Sequence, residues 1–178
     1  MRRIALLLIT LLCLSALSAP NALADSPHFK KGGSPTCTIT GSGASLTVKC
    51  TATLAGLGNA DVKVIQTLTG TAVYQCQNNG GNTAPGQNKV LVGPATTPVI
   101  IPGSDIKNGN LTISVTSTLT APATVTGAEA GCPNPNWTGV NPVLTLTSIQ
   151  FVIEQPPGTQ IFSCGATDPL SGTVALTC

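Results

Sequence analysis

Alternation of apolar and polar side chains dominates this chain. Leu46, Val48, Cys50, Ala52 and Leu54 alternate with Ser45, Thr47, Lys49, Thr51 and Thr53, a period of two that turns one face of a strand inward and the other to water. Val62, Val64, Leu68, Ala72, Tyr74 and Cys76 share one parity, broken only by Gln66 and Gly70, and Leu111, Ile113, Val115 and Leu119 share another. Between Val143 and Glu154 the phase slips: Leu144 and Leu146 are even, whereas Ile149, Phe151 and Ile153 are odd. One extra residue near Thr147-Ser148, a β-bulge, accounts for the slip. Further strands are expected at Lys89 to Val92, Pro98 to Ile101, Thr159 to Cys164 and Gly172 to Cys178. The first two, divided by Gly93-Pro94, suit a sheet edge, where a missing amide donor is tolerated.

No window sustains a helical period, and 19 glycines with 14 prolines leave little room for one. Seven to nine short strands separated by Gly, Pro and Asn predict an all-β fold, an antiparallel immunoglobulin-like β-sandwich stapled by disulfides. A small β-barrel is the competing architecture.

Residues 1–24 read as a signal peptide: Arg2 and Arg3 precede the apolar run Ile4 to Leu17, and Ala22-Leu23-Ala24 supplies small residues for cleavage. The apolar run falls short of the roughly 20 residues that a membrane span needs. A secreted, extracellular product is therefore expected, with residues 25–36 as a flexible N-terminal arm and 37–178 as a single domain.

Export makes disulfides the natural reading of the six cysteines beyond Cys13. A hairpin register that sets Cys37 opposite Cys50 also sets Ile39 opposite Val48 and Gly41 opposite Leu46, so staple and apolar pattern agree. Cys164 and Cys178 behave alike around a turn centred on Ser171. Elimination leaves Cys76 with Cys132, one of 15 connectivities that six cysteines allow.

Charge narrows the partners. From residue 25 onward six lysines meet six acids, and no arginine occurs. Nucleic acid, whose phosphates are met by clustered Lys and Arg, is not an expected partner. Catalytic chemistry finds little support either. His28, the single histidine, lies in the expected flexible arm, whereas a Ser-His-acid or Cys-His mechanism needs it held rigidly against a nucleophile. A hydrolase would need two carboxyl groups across a groove, for which Glu154 and Asp168 are the best couple available. No metal-ligand spacing and no cofactor motif is present, so no cofactor is expected.

Two loops are richer. Cys76 opens a segment containing Asn78, Asn79, Asn82, Gln87 and Asn88, and Cys132 opens one containing Asn134, Asn136 and Trp137. Joined by a disulfide, they would present amides beside the single Trp, chemistry suited to a glycan or protein ligand. The competing reading is that Asn and Gly serve turns while Trp137 covers the disulfide. Thr repeats at two-residue spacing, as in Thr67/Thr69/Thr71 and Thr116/Thr118/Thr120. This suits a solvated sheet face, and no fixed-length repeat supports an ice-binding one.

The runs Leu54-Ala55-Gly56-Leu57-Gly58-Asn59 with Asp61-Val62, Cys76 to Asn88, and Ala130-Gly131-Cys132-Pro133-Asn134 with Trp137 resemble a group of small exported proteins of filamentous Gram-positive bacteria. That resemblance implies export and a compact β-domain, and it carries over no functional residues. A looser similarity, of architecture alone, is to enediyne-carrier apoproteins, from which the chain departs in cysteine number and in its few aromatic side chains. The expected function is a non-enzymatic extracellular binding or structural surface protein. A small-molecule carrier is the alternative, and a carboxylate-dependent hydrolase the third reading.

Overall fold

The alternation over residues 45–54 becomes β3 (Ser45–Ala55), the central strand of the first of two antiparallel sheets. The computed structural model describes residues 26–178, so the expected signal peptide lies outside the described residues. One edge of β3 carries β2 (Thr36–Ser42) and, end to end with it, the two-residue β1 (His28–Phe29). The other edge carries β7 (Leu111–Thr120), and β11 (Thr173–Ala175) adds to the far side of β2. In the second sheet β4 (Val62–Gln77) and β9 (Thr138–Glu154) run side by side. Outside β4 lie β5 (Thr83–Pro85) and β6 (Val90–Ile101), and outside β9 lie β8 (Val125–Thr126) and β10 (Gln160–Leu170). The fold is thus a two-sheet β-sandwich, with one four-residue helix, α1 (Gly127–Ala130), after β8.

The inward faces meet as the alternation requires. Val48 and Leu54 of β3, Ile113 of β7, Val64 and Leu68 of β4, and Phe151 and Ile153 of β9 are all fully buried. The two breaks in the β4 pattern are buried as well. The inward position at Gly70 takes glycine because a Cβ there would stand 2.6 Å from the Thr145 carbonyl oxygen. Gln66 donates its side-chain amide to the Val48 carbonyl oxygen at 3.2 Å, while its Oε1 and the Ser117 hydroxyl have no partner among the described residues.

The phase slip in β9 is a bulge at the expected place. Thr69 faces Ser148 but Gly70 faces Leu146, leaving Thr147 as the extra residue, and the Thr147 hydroxyl donates to the Thr69 carbonyl oxygen at 3.2 Å. The three disulfides join Cys37 to Cys50, Cys76 to Cys132 and Cys164 to Cys178. Cys37 faces Cys50 in the β2–β3 register, with Ile39 opposite Val48 and Gly41 opposite Leu46.

Three expectations need correction. The segment expected as a flexible arm is laid onto the first sheet: His28 and Phe29 pair with Ala55 and Leu54, Lys30 N donates to Thr53 O at 2.9 Å, and Thr53 N donates to Gly33 O at 2.9 Å. Phe29 holds it there by packing on Phe162 of the second sheet, ring centroids 4.3 Å apart. Lys89 to Val92 and Pro98 to Ile101 are one edge strand rather than two, because a bulge at Gly93-Pro94 bends β6 without ending it. The C-terminal cysteines do not close a simple hairpin. Gly165 faces Thr177 in the expected register, but between them β10 stays with β9 while β11 crosses to β2. The barrel alternative is met only at this corner, where the Gly165–Thr177 bridge ties the second sheet to the strand that edges the first.

Candidate functional site

Both Asn-rich segments leave the same end of the second sheet. Thr83, Gln77, Thr138 and Thr126 form one cross-strand row over β5, β4, β9 and β8, and the loops 78–82 and 133–137 project beyond it. The Cys76–Cys132 bond, with Cα atoms 5.6 Å apart, ties the second loop to β4.

Several of the expected contact residues also build the loops. The Asn78 side-chain oxygen accepts from Gly80 N at 2.9 Å and Asn82 N at 3.0 Å, closing an Asx turn. The Asn134 side-chain oxygen accepts from Asn136 N at 2.9 Å in the same manner. Asn88 clips its loop to α1, donating from Nδ2 to the Glu129 carbonyl at 3.1 Å, with its own N–H on the Ala130 carbonyl at 3.1 Å. Asn79, Asn82, Gln87, Asn88, Asn134 and Asn136 are exposed, and Asn78 is half-buried.

Trp137 is half-buried and packs against the core. It lines an open depression of about 600 Å³ together with Pro122, Val125, Pro135, Glu129 and the threonines 124, 126 and 138. No side chain of the 77–88 loop lines it. The two expected loops are therefore neighbours, but only the second contributes to the concave surface.

Local sequence explains the depression. Thr126 and Glu129 form a capping box: Glu129 N donates to Thr126 Oγ1 at 3.2 Å, and Glu129 Oε2 accepts from Thr126 Oγ1 at 2.7 Å and Thr126 N at 2.9 Å. Gly131, at φ 67°, ends α1 in the left-handed conformation. The loop bearing Trp137 wraps closely over Gly127, where a Cβ would collide with the Trp137 carbonyl oxygen and stand 2.9 Å from those of Asn134 and Pro135. Beneath, Tyr74 donates its hydroxyl to the Pro122 carbonyl at 2.9 Å and fixes that wall. The Thr-x-x-Glu spacing of Thr126 and Glu129, followed by Gly131, is the sequence signal for this arrangement.

The electrostatics centre on one acid. Hydrogen bonds from the Thr126 hydroxyl and backbone amide hold the Glu129 carboxyl below the usual range. Burial, and then the nearby Glu129 charge, push the Tyr74 hydroxyl up. The depression thus offers an apolar Trp and Pro surface, several hydroxyls and one ionised carboxylate.

Because the folded state lowers the affinity of Glu129 for its proton, the cap contributes stability above the ordinary carboxylate range and loses it as pH falls through the lowered value. Trp137 fluorescence followed from about pH 6 to about pH 2 is expected to change in this window. Glu129→Gln, which keeps an acceptor at the same reach, is expected to flatten that part of the curve. An unchanged curve would show that the cap does not hold the Trp137 loop.

The carboxylate pair considered for hydrolysis does not converge. Glu154 lies opposite Gln160 at one end of β10 and is paired with Lys63 at 3.6 Å. Asp168 sits near the other end of β10, roughly 25 Å along the strand at about 3.3 Å per residue. No group of three or more His, Cys, Asp or Glu side chains gathers as a metal site among the described residues. No helix among them is long and apolar enough to cross a membrane. In comparisons with known proteins, the chain matches no family model and no curated protein.

Proposed function

We propose that this chain is a non-enzymatic extracellular binding module that docks a glycan in the Trp137 depression. The observation that carries this reading is the apolar surface of Trp137, Pro122 and Pro135 beside a single oriented carboxylate, Glu129, with Thr124 and Thr138 at the rim. The C–H face of a sugar ring stacks on an indole, and its hydroxyls need acceptors and donors at the rim. Three disulfides accord with the oxidising surroundings that the expected signal peptide would lead to. The sandwich brings this end of the second sheet into the solvent and keeps it rigid through the Cys76–Cys132 bond. The resemblance to small exported proteins of filamentous Gram-positive bacteria fits a display scaffold of this kind.

A panel of immobilised polysaccharides tests the proposal with the secreted protein. Wild type is expected to be retained by at least one of them. Trp137→Ala is expected to weaken retention tenfold or more, about 1.4 kcal/mol, and Trp137→Phe to restore part of it. Because Trp137 also packs on the core, thermal unfolding of each variant separates lost binding from lost fold. A wild type that binds none of the polysaccharides, or a folded Trp137→Ala protein that binds as well as wild type, would overturn the reading.

A further inference from the structure

Sheet edges in soluble proteins are normally blunted by charge, proline, bulges or shortness, because an unpaired row of N–H and C=O groups templates another strand. Three of the margins here follow that rule. β11 has only three residues, β6 is bent by the bulge at Gly93-Pro94, and β10 carries Asp168 at φ 98° next to Pro169 and is engaged by Thr177. β7 does not follow it. Its sequence, Leu-Thr-Ile-Ser-Val-Thr-Ser-Thr-Leu-Thr, has no charge, Pro or Gly, and it pairs with β3 residue for residue from Leu111 opposite Leu54 to Thr120 opposite Ser45, without a bulge.

The direction of its free groups follows from the ladder. Cys37 and Cys50 stand with Cα atoms 4.0 Å apart, the closeness of a non-hydrogen-bonded pair, so Cys50 turns its amide and carbonyl toward Val115 of β7. The same parity gives the Ala121 N to Ala44 O bond of 2.8 Å at the end of the ladder. The even-numbered residues of β7 therefore aim their main-chain groups away from β3, and their side chains are exposed.

We propose that β7 is a homodimerisation edge, pairing antiparallel with β7 of a second copy about a twofold axis at Thr116. In that register Ser114 meets Thr118 and Thr112 meets Thr120 on the outer face, cross-strand hydroxyl pairs of the favourable kind. The same face already shows such pairs within the chain, Thr47 with Thr118 at 3.3 Å and Ser45 with Thr120 at 3.0 Å. On the inner face Ile113 meets Leu119. The pairing adds about ten main-chain hydrogen bonds.

Charge selects a second copy over a charged partner. The edge offers no charge to attract one, whereas two identical neutral edges meet without repulsion. The nearest charge on that face, Lys49, is opposite Thr116 on β3. Its counterpart in the second copy would be three strand spacings away, about 14 Å, beyond the Debye length of about 8 Å at physiological salt.

Sedimentation equilibrium of the secreted protein up to about 0.1 mM, where micromolar association is saturated, is expected to give twice the chain mass. Thr116→Pro removes an amide that points outward, so the β3 ladder survives, and is expected to give a monomer. Thr116→Lys sets two ammonium groups face to face and is expected to do the same, with thermal unfolding like that of wild type. Thr116→Cys, oxidised with glutathione disulfide as the two-electron acceptor, is expected to form a covalent dimer, since a hydrogen-bonded antiparallel pair lies within disulfide reach. A wild type that remains monomeric, a folded Thr116→Lys protein that still dimerises, or a Thr116→Cys protein that does not cross-link would each overturn the proposal. None of these readouts depends on glycan binding.

Discussion

Replacing Cys76 and Cys132 together by alanine is expected to lower stability by about 4 kcal/mol, against about 3 kcal/mol for either of the other two cysteine pairs, in the chain-entropy account of a cross-link. The order follows from loop length. Cys76 and Cys132 are separated by 56 residues, the other pairs by 13 and 14, and a longer closed loop removes more freedom from the unfolded chain. Native structure adds to the difference. Cys37 and Cys50 already face each other in a ladder that runs from Thr36 to Ser42, so the strands stay paired without the sulfurs. Around Cys132 the chain is held by α1, by the Cys132 N to Gly127 O bond of 2.7 Å and by the Asn88 clip, a much smaller set. For a domain of this size the loss corresponds to a fall in melting temperature of about 10 °C. Thermal and urea unfolding of the three double-alanine proteins under non-reducing conditions would measure it. A Cys76/Cys132 variant as stable as the Cys37/Cys50 variant would mean that the 133–137 loop is held by its turns and by Gly127 alone. In that event glycan retention would survive the change, whereas the expected result is that retention falls with stability.

What could be read in advance was whatever a period of two controls. The strand faces, the bulge at Thr147 and the Cys37–Cys50 register all follow from which side chains must point inward together, and the edge position of β6 from the amide that Pro94 lacks. The misreadings lie where a second influence overrides that period. Ser26 to Gly33 looks like a polar tail, but Phe29 has an aromatic partner 133 residues later in Phe162, and nothing local announces it. Around Ser171 the cysteine spacing is that of a hairpin, yet Thr173 to Ala175 gain more from the open edge of β2 than from β10. The site shows the same division. Trp137 stands out in the sequence as the single Trp, but its surroundings come from Pro122, Val125 and Glu129, whose spacing carries no signature of a shared surface. Asn78 and Asn134 also close turns and Asn88 clips its loop to α1, roles that a count of amides does not reveal.

Phe151→Ala is expected to cost about 3 to 5 kcal/mol, a large share of the roughly 5–15 kcal/mol that holds a domain folded. Phe29 and Phe162 are half-buried at the sandwich edge, whereas Phe151 is fully enclosed in β9, opposite Gln66 of β4 on one side and Cys164 of β10 on the other. Three features keep the vacated volume from closing. The flanking strands are fixed by ladders on both edges of β9, the Cys164–Cys178 bond anchors the neighbouring strand, and the aliphatic neighbours have stiff or short side chains. One feature works the other way. The Gln66 Oε1 lacks a partner, and its side chain is the direct cross-strand neighbour of Phe151, so space opened there adjoins a polar atom that water can satisfy. The expected cost therefore lies toward 3 kcal/mol, and it should rise when Phe151→Ala is made in a Gln66→Leu background, where the vacated space is apolar and stays dry. Phe162→Ala, which shortens a half-exposed pair, is expected to cost about 1 to 2 kcal/mol. Urea unfolding of these variants beside wild type and Gln66→Leu decides the matter: a Phe151→Ala cost no greater than that of Phe162→Ala would mean that the β4–β9 pair, on which the Trp137 site is built, closes over the vacated space.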